Sequence, residues 1–251
     1  MIYLYAITDR PERPIPAEPG LEGAPLINLV CRDIAAVASH LTMVKVPPAE
    51  ANLWRHEAVV EALMVDRTVL PARFGTVLTD EAAIQGTLAV HYAEFEADLK
   101  RVCGRVELGL RVLWDDNDNQ PLDANHKKRL NGQRPAISGR AYLLSRLEEE
   151  RQAQAQRQRA KALAKKLHTL LTQLATQSTW QVLVTPRLLL TAAYLVERER
   201  VTSFQRKVEA LSTIFPELHF LCTGPWPPYS FVTAGIAMIP SEDMENARSQ
   251  P

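Results

Sequence analysis

The residues best suited to chemistry are His56, Glu57 and Glu61, which lie close together early in the chain. Glu57 and Glu61 are four residues apart, and two carboxylates one helical turn apart can act together in acid–base catalysis. His56 and Glu57 also match the first half of the HExxH zinc motif, but Val60 occupies the position of the second histidine. Zinc-peptidase chemistry is therefore excluded, and we predict that His56 is a hydrogen-bonded residue of the core or its boundary.

Arg73 stands in the segment TVLPARFG (68–75), between Ala72 and Phe74. An arginine among apolar neighbours needs a carboxylate partner, because an unpaired buried charge is costly. Glu57 and Glu61 on the preceding predicted helix are the candidates. We favour a structural clamp formed by Arg73, Glu57 and Glu61. The alternative is a small-ligand or enzymatic pocket that collects Arg73, Glu57 and His56.

Motifs for other catalysis and for cofactors are missing from the sequence. It contains no GxxxxGK[ST], GxGxxG or GxSxG motif, and its ten glycines leave little material for phosphate-binding loops. Its three cysteines form no CxxC pair, and no two of its six histidines have the helical spacing of metal ligands. The sequence therefore gives no motif for a cofactor or a metal ion, and we predict neither; the absence of an enzymatic activity is an expectation that rests on the family resemblance described below.

Charge and hydropathy argue against two classes of partner. The 29 basic and 29 acidic residues give a net charge of zero, so no general attraction to nucleic acid or to an anionic lipid membrane is expected. A locally basic helix within residues 139–177 lacks the interleaved aromatic residues that stack on bases. No apolar run approaches a membrane span, and the N-terminus lacks the features of a signal peptide. These observations favour a cytoplasmic protein.

The segment TGPWPPYSFV (223–232) concentrates prolines and aromatic rings near the end of the chain. Its prolines fix an extended backbone, so the rings are presented at little cost in conformational entropy. Two roles stay open and are compatible: the segment fastens the last strand to another domain, or it offers a rigid apolar patch to a partner. The candidate partner-binding residues are Trp226, Pro227, Pro228, Tyr229 and Phe231.

The patterning predicts an α+β protein of two domains. The first domain, residues 1–103, begins with a strand, and a second strand follows around 27–31. A helix leads from the prolines at 47–48 into the strand TVLPARFG. Thr79 or Asp80 then caps one long helix whose apolar stripe runs from Ile84 to Val102.

The second domain is predicted at residues 104–232. Residues 105–114 alternate as a half-buried strand, and a polar loop follows at 115–137. The pattern of residues 139–177 predicts a helix with a length of roughly 57 Å. Its middle is polar, so this part either projects beyond the rest of the domain or marks a break between two helices. After this helix, the pattern predicts two strands, a helix and a last strand. This order is that of a ferredoxin-like, or split βαβ, domain with helices on one face of the sheet. Residues 233–251 form a tail.

Three separated stretches resemble one known family. RHEAVVEALMVDRTVLPARFGTVL (55–78), GRAYLL (139–144) and LLLTAAYLVERERVTSF with TGPWPPYSFV (188–232) are together similar to the gas vesicle proteins GvpL and GvpF. The three motifs occur in the right order and cover essentially the whole chain. The resemblance does not separate L from F.

The resemblance implies an accessory or minor structural protein of gas vesicle formation that has no catalytic residues and acts in the cytoplasm, at the gas vesicle. It implies binding of the hydrophobic wall protein GvpA and of other accessory Gvp proteins. A wall subunit made for a gas interface exposes apolar surface before assembly, so its binder would limit aggregation. We expect the contact surfaces to be the rings at 226–231 and the edges of the ferredoxin-like sheet.

Overall fold

The structure is a computed structural model that describes residues 1–43, 45–114, 139–182 and 188–233. The predicted polar loop 115–137 and the tail from residue 234 onward lie outside the described residues. The first group of elements is β1 (Ile2–Asp9), β2 (Leu26–Cys31), β3 (Ile34–His40), α1 (Glu50–Leu63), β4 (Val69–Pro71), β5 (Val77–Leu78), α2 (Glu81–Val90) and α3 (Tyr92–Val102). The second group is β6 (Arg105–Trp114), α4 (Gly139–Thr172), β7 (Gln177–Val182), β8 (Leu188–Glu197), α5 (Val201–Ile214) and β9 (Leu218–Trp226).

The chain divides into two compact units, and the division differs from the predicted domains. One unit holds residues 1–107 together with 225–233 of the described chain, and the other holds 108–224. The predicted boundary was at Gly104, and the predicted second domain continued to residue 232. Residues 225–233, named here the return segment, belong instead to the first unit because their hydrogen bonds are made to α1, α3 and the start of β6.

The first unit is built on a five-stranded sheet in the order β2-β3-β1-β4, with β5 also paired to β1. Strand β1 is buried along nearly its whole length, as a strand covered on both faces must be. Helix α1 packs on the face that carries Tyr3 and Tyr5. Helix α2 lies over the opposite face, where Ile84 and Leu88 line a small apolar cavity with Leu4.

Three local features of this unit differ from the sequence prediction. Strand β3, rich in alanine, was not predicted. Of the predicted strand TVLPARFG (68–75), only β4 is a strand; a turn follows, in which Gly75 adopts a φ of 86°, a left-handed conformation that glycine adopts readily, and β5 begins beyond it. The predicted long helix is divided at His91 into α2 and α3. Asp80 caps α2 as predicted, since its carboxylate accepts a 2.8 Å hydrogen bond from the Ala83 amide.

The second unit contains a four-stranded sheet in the order β7-β8-β6-β9. Strands β6 and β7 are joined through α4, and β8 lies between them, so this βαβ connection is split. Strands β7 and β8 are antiparallel. Leu108, Leu110 and Val112 of β6 point to one face of the sheet and join a core with residues of α4 and α5.

Helix α4 is continuous over 34 residues, so its polar middle does not mark a break. The middle is rich in Glu, Gln, Arg and Ala, which favour the helical backbone without tertiary contacts. The buried residues of α4 lie in its C-terminal half, at Ala160, Ala164, Leu167, His168 and Leu171. Among the described residues, no helix has the length and apolarity needed to cross a membrane.

Candidate functional site

A buried hydrogen-bonded chain of side chains lies between α1 and the return segment. The hydroxyl of Tyr3 lies 2.9 Å from His56 Nδ1, and the hydroxyl of Tyr229 lies 3.2 Å from His56 Nε2. Tyr229 also donates a 2.9 Å hydrogen bond to Glu57 Oε2, and the Gly75 amide donates to the Tyr3 oxygen. One set of donor directions satisfies this chain: Tyr3 donates to a neutral His56, which donates to Tyr229, which donates to the Glu57 carboxylate.

Burial keeps His56 neutral. Its side chain is almost inaccessible to solvent, and burial lowers its pKa to about 4. Burial also raises the pKa values of Tyr3 and Tyr229, so both hydroxyls stay protonated at neutral pH. The prediction of a hydrogen-bonded core histidine is confirmed, and His56 stabilises the fold by joining β1, α1 and the return segment.

Glu57 is satisfied at only one of its two carboxylate oxygens. Oε2 accepts from Tyr229, whereas Oε1 is buried and has no hydrogen-bond partner. Burial raises the pKa of Glu57; the hydrogen bond from Tyr229 opposes this rise, and the neighbouring charge of Glu61 adds to it. Burial therefore destabilises the ionised form of Glu57, and a nearby positive charge would stabilise it.

Arg73 does not join this chain of side chains. It lies in the turn between β4 and β5, where its side chain is exposed and hydrated. Across residues 1–114 and the other described ranges, no ion pair joins Arg73 to Glu57 or Glu61, and Glu61 is also exposed. The structure thus brings together His56, Glu57 and Tyr229, and it places Arg73 and Glu61 outside that group. A solvated guanidinium does not need the carboxylate partner that a buried one would need.

Two buried carboxylates anchor the rest of the return segment. Glu107 accepts hydrogen bonds of 2.7 Å from both the amide and the hydroxyl of Ser230. Asp98 accepts a 2.7 Å bond from the Thr233 amide and one of 2.5 Å from the Thr233 hydroxyl. Arg101 pairs with Asp98 and donates a 2.6 Å bond to the Phe231 carbonyl. The return segment is therefore fixed at several points along its length.

Sequence reasoning did not find Asp98 and Glu107. Asp98 carries a signal that is visible afterwards, because it lies between Phe95 and Leu99 on the apolar stripe of α3. Glu107 carries none, because it falls on the polar face of the alternating strand β6. An acidic residue in an apolar pattern indicates a buried partner. The partners are more than a hundred residues away, so the sequence did not identify them.

The five predicted partner-binding residues differ in exposure. Pro227, Pro228 and Phe231 are buried, and Tyr229 is partly buried by its contact with His56 and Glu57. Trp226, the last residue of β9, is 38% exposed. The segment therefore fastens its own chain, and Trp226 offers most of the aromatic surface that remains for a partner.

A second apolar surface lies at the start of α4. Tyr142, Leu143, Leu144 and Leu147, named here the apolar turn of α4, have exposed fractions of 45–68%. These side chains cover more than one side of the helix because three of them are consecutive. No group of His, Cys, Asp and Glu within the described residues could hold a metal ion. The arrangement is suited to contact with apolar surfaces.

Comparison with known proteins identifies the family. The profile of the gas vesicle synthesis protein GvpL/GvpF family matches residues 1–233. Gas vesicle protein L of a Streptomyces species is 35% identical over 192 residues, which cover 72% of this chain and 68% of that protein. Gas vesicle protein F1 of Halobacterium salinarum is 24% identical over 239 residues, covering 94% of each chain.

Crystal structures of two relatives share the fold. GvpF from Anabaena gives a TM-score of 0.71 at 22% identity and covers 92% of this chain and 95% of its own. GvpF from Microcystis aeruginosa gives 0.70 at 20% identity, with 92% and 98% covered. The family match over nearly the full length, together with the shared α+β architecture of two sheets and helices, shows that this chain belongs to the GvpL/GvpF family of gas vesicle proteins.

Proposed function

We propose that this protein is an accessory factor of gas vesicle assembly that binds the hydrophobic wall protein GvpA and other Gvp proteins and limits the aggregation of GvpA during nucleation. It acts in the cytoplasm, at the growing vesicle. It binds its partners through contact surfaces and catalyses no reaction. Family membership supports the role in vesicle formation, and the surface of the chain supports binding.

The observation that carries the proposal is the apolar turn of α4. Tyr142, Leu143, Leu144 and Leu147 are all large, and each exposes close to half of its side chain or more. Scattered single apolar residues are normal on a protein surface, whereas a contiguous group of this size marks an interaction site. A partner that itself exposes apolar surface would bury this group with a favourable free energy.

Strand β9 adds a second contact surface. It is an edge strand of the β7-β8-β6-β9 sheet, and it ends at the exposed Trp226. An edge strand presents unpaired backbone donors and acceptors that can pair with a strand of another protein. Tryptophan commonly contributes strongly to binding energy because of its large apolar area. The two surfaces together suit a partner with apolar side chains and an unpaired strand.

A capture experiment tests the proposal. In the variant Leu143→Ser/Leu147→Ser, we expect the GvpA co-purified per folded protein to fall by at least about tenfold, because two of the four apolar side chains of the turn are lost. The matched control is Val90→Ser/Ile214→Ser, which removes two exposed apolar side chains from other helices and should capture GvpA normally. Circular dichroism verifies that each variant stays folded. Equal capture by both variants would contradict the proposal for this surface.

A further inference from the structure

The outer face of α1 combines a highly exposed tryptophan with a row of carboxylates. Glu50, Trp54, Glu57 and Glu61 are spaced by four, three and four residues, so they form one stripe along the helix, named here the outer stripe of α1. Trp54 is 63% exposed, although His56, Val59, Val60 and Leu63 on the opposite face are buried. The Trp54 indole nitrogen donates a 3.1 Å hydrogen bond to Glu50, which orients the ring along the helix surface.

The negative charge of the outer stripe is not balanced by an ion pair in the part of the chain that the structure describes. Among the described residues, no lysine or arginine forms an ion pair with Glu50, Glu57 or Glu61. Glu57 and Glu61 are one turn apart, and like charges at that spacing destabilise a helix. One oxygen of Glu57 is buried without a partner. These costs would be offset when a positive charge from another molecule lies beside the two carboxylates.

We propose that the outer stripe of α1 docks a segment of another gas vesicle protein that carries a lysine or arginine beside a large apolar side chain. This inference rests on the proposed function. It further specifies that the bound segment is positively charged and that it binds on α1. Charge complementarity selects this occupant: the cation lies beside the exposed carboxylate of Glu61, where the charge of Glu57 one turn away adds to its attraction, and its apolar neighbour packs on Trp54.

The tryptophan strengthens the choice of a cationic segment. A lysine or arginine over an aromatic face is attracted by the electron-rich ring face, even at an exposed site. The apolar neighbour of the cation would cover the same ring, and Leu53, which is also exposed, would extend that contact. A purely apolar partner would instead bury three carboxylates without compensation, which opposes binding. The outer stripe therefore distinguishes a cationic segment from a purely apolar one, whereas the apolar turn of α4 does not.

The test uses the full chain and overlapping synthetic peptides that cover GvpA and the other Gvp proteins of the same organism. We expect the unmodified chain to bind peptides that contain Lys or Arg next to Leu, Ile, Phe or Trp, with an affinity that falls as NaCl is raised. In the variants Glu61→Lys and Trp54→Ala, this binding should weaken by at least about tenfold. The matched control is Glu18→Lys, which makes the same charge change at an exposed loop position and should bind normally.

Capture of full-length GvpA, measured in parallel, separates this inference from the proposed function. Normal capture of GvpA together with peptide binding that neither α1 variant alters would overturn the docking site and leave the proposed function intact. If peptides that lack Lys and Arg bound and lost that binding equally in Glu61→Lys and Trp54→Ala, the inference would also be overturned, because α1 would then not select a positive charge. Failure to capture any Gvp protein, by the unmodified chain, would overturn both. Glu57 is left unchanged because its carboxylate also accepts from Tyr229 within the fold.

Discussion

At the scale of single residues, His56 connects segments that are far apart in the sequence. Its two ring nitrogens lie within hydrogen-bonding distance of Tyr3 in β1 and Tyr229 in the return segment. Its ring also stacks on that of Tyr5, at 5.8 Å between centroids. Because both nitrogens are used inside the unit, His56 serves the fold, and its protonation state is linked to the stability of that fold.

The pKa of His56 predicts a loss of stability in acid. Burial lowers this pKa from 6.5 to about 4, so between those pH values the unfolded chain binds a proton that the folded chain does not. The free energy of unfolding should therefore fall as the pH falls through this window, by on the order of 3 kcal/mol in total. Urea denaturation of the protein and of His56→Gln between these pH values measures the difference.

The comparison isolates His56 because the contributions of the other buried groups are common to the parent and to His56→Gln. Burial also lowers the pKa of His168, which acts in the same direction as His56. Burial raises the pKa values of Glu57 and Glu107, so in the window just above the ordinary carboxyl pKa the folded chain keeps protons that the unfolded chain loses. Their contribution to stability decreases as the pH rises, and it is common to both proteins. His40→Gln, at an exposed histidine, should retain the acid loss of the parent. An equal pH slope in the parent and in His56→Gln would refute the assignment.

Residue-level prediction succeeded for His56 and not for the partner of Glu57. His56 was predictable because it falls on the apolar face of α1, between Leu53 and Val60. The predicted partner of Glu57 was Arg73, but the turn at Gly75 places that side chain in solvent. The observed partner is Tyr229, more than a hundred residues away, and no local pattern encodes a contact over that distance.

At the scale of elements, the return segment is the least predictable part of the fold. The sequence showed that its prolines make it stiff, and left open whether it serves the chain or a partner. The structure shows that it is held by Asp98, Arg101 and Glu107 in the first unit. Its backbone carbonyl and amide groups thus form hydrogen bonds to side chains of the first unit, in place of the water that would satisfy them in an exposed segment.

Two substitutions separate the fastening role of the return segment from a binding role. Phe231→Ala removes a buried ring and should lower the free energy of unfolding by about 3–5 kcal/mol. Trp226→Ala removes a ring that is 38% exposed, so it should cost clearly less stability and should reduce the amount of GvpA captured. Urea denaturation and co-purification measure the two effects. A folded Trp226→Ala protein that captures GvpA normally would show that the segment serves only the fold.

Elements with a strong hydrophobic period were predicted well. The apolar stripes of α3 and α5 and the alternation of β6 appear in the structure as expected. Strand β3 was missed because alanine has a low strand propensity. The strand forms through its pairing with β1 on one side and β2 on the other, which the local sequence does not show. The break at His91 was missed because the apolar stripe continues from α2 into α3 without a change of period.

At the scale of the whole molecule, the chain carries three candidate contact surfaces of different chemistry. The apolar turn of α4 is hydrophobic, β9 is a sheet edge, and the outer stripe of α1 is acidic and aromatic. A net charge of zero leaves the choice of partner to these local surfaces rather than to the overall field. Family membership was predictable from three ordered motifs. The difference in solvent exposure between Trp226 and Phe231 could be seen only in the structure.

The central claim is tested most directly by expressing GvpA of the same organism with and without this protein. The measurement is the fraction of GvpA in the supernatant after centrifugation, together with size-exclusion chromatography of that fraction. We predict that co-expression raises the soluble fraction and that the two proteins elute as one complex. An unchanged soluble fraction, with no complex between the two proteins, would contradict the account.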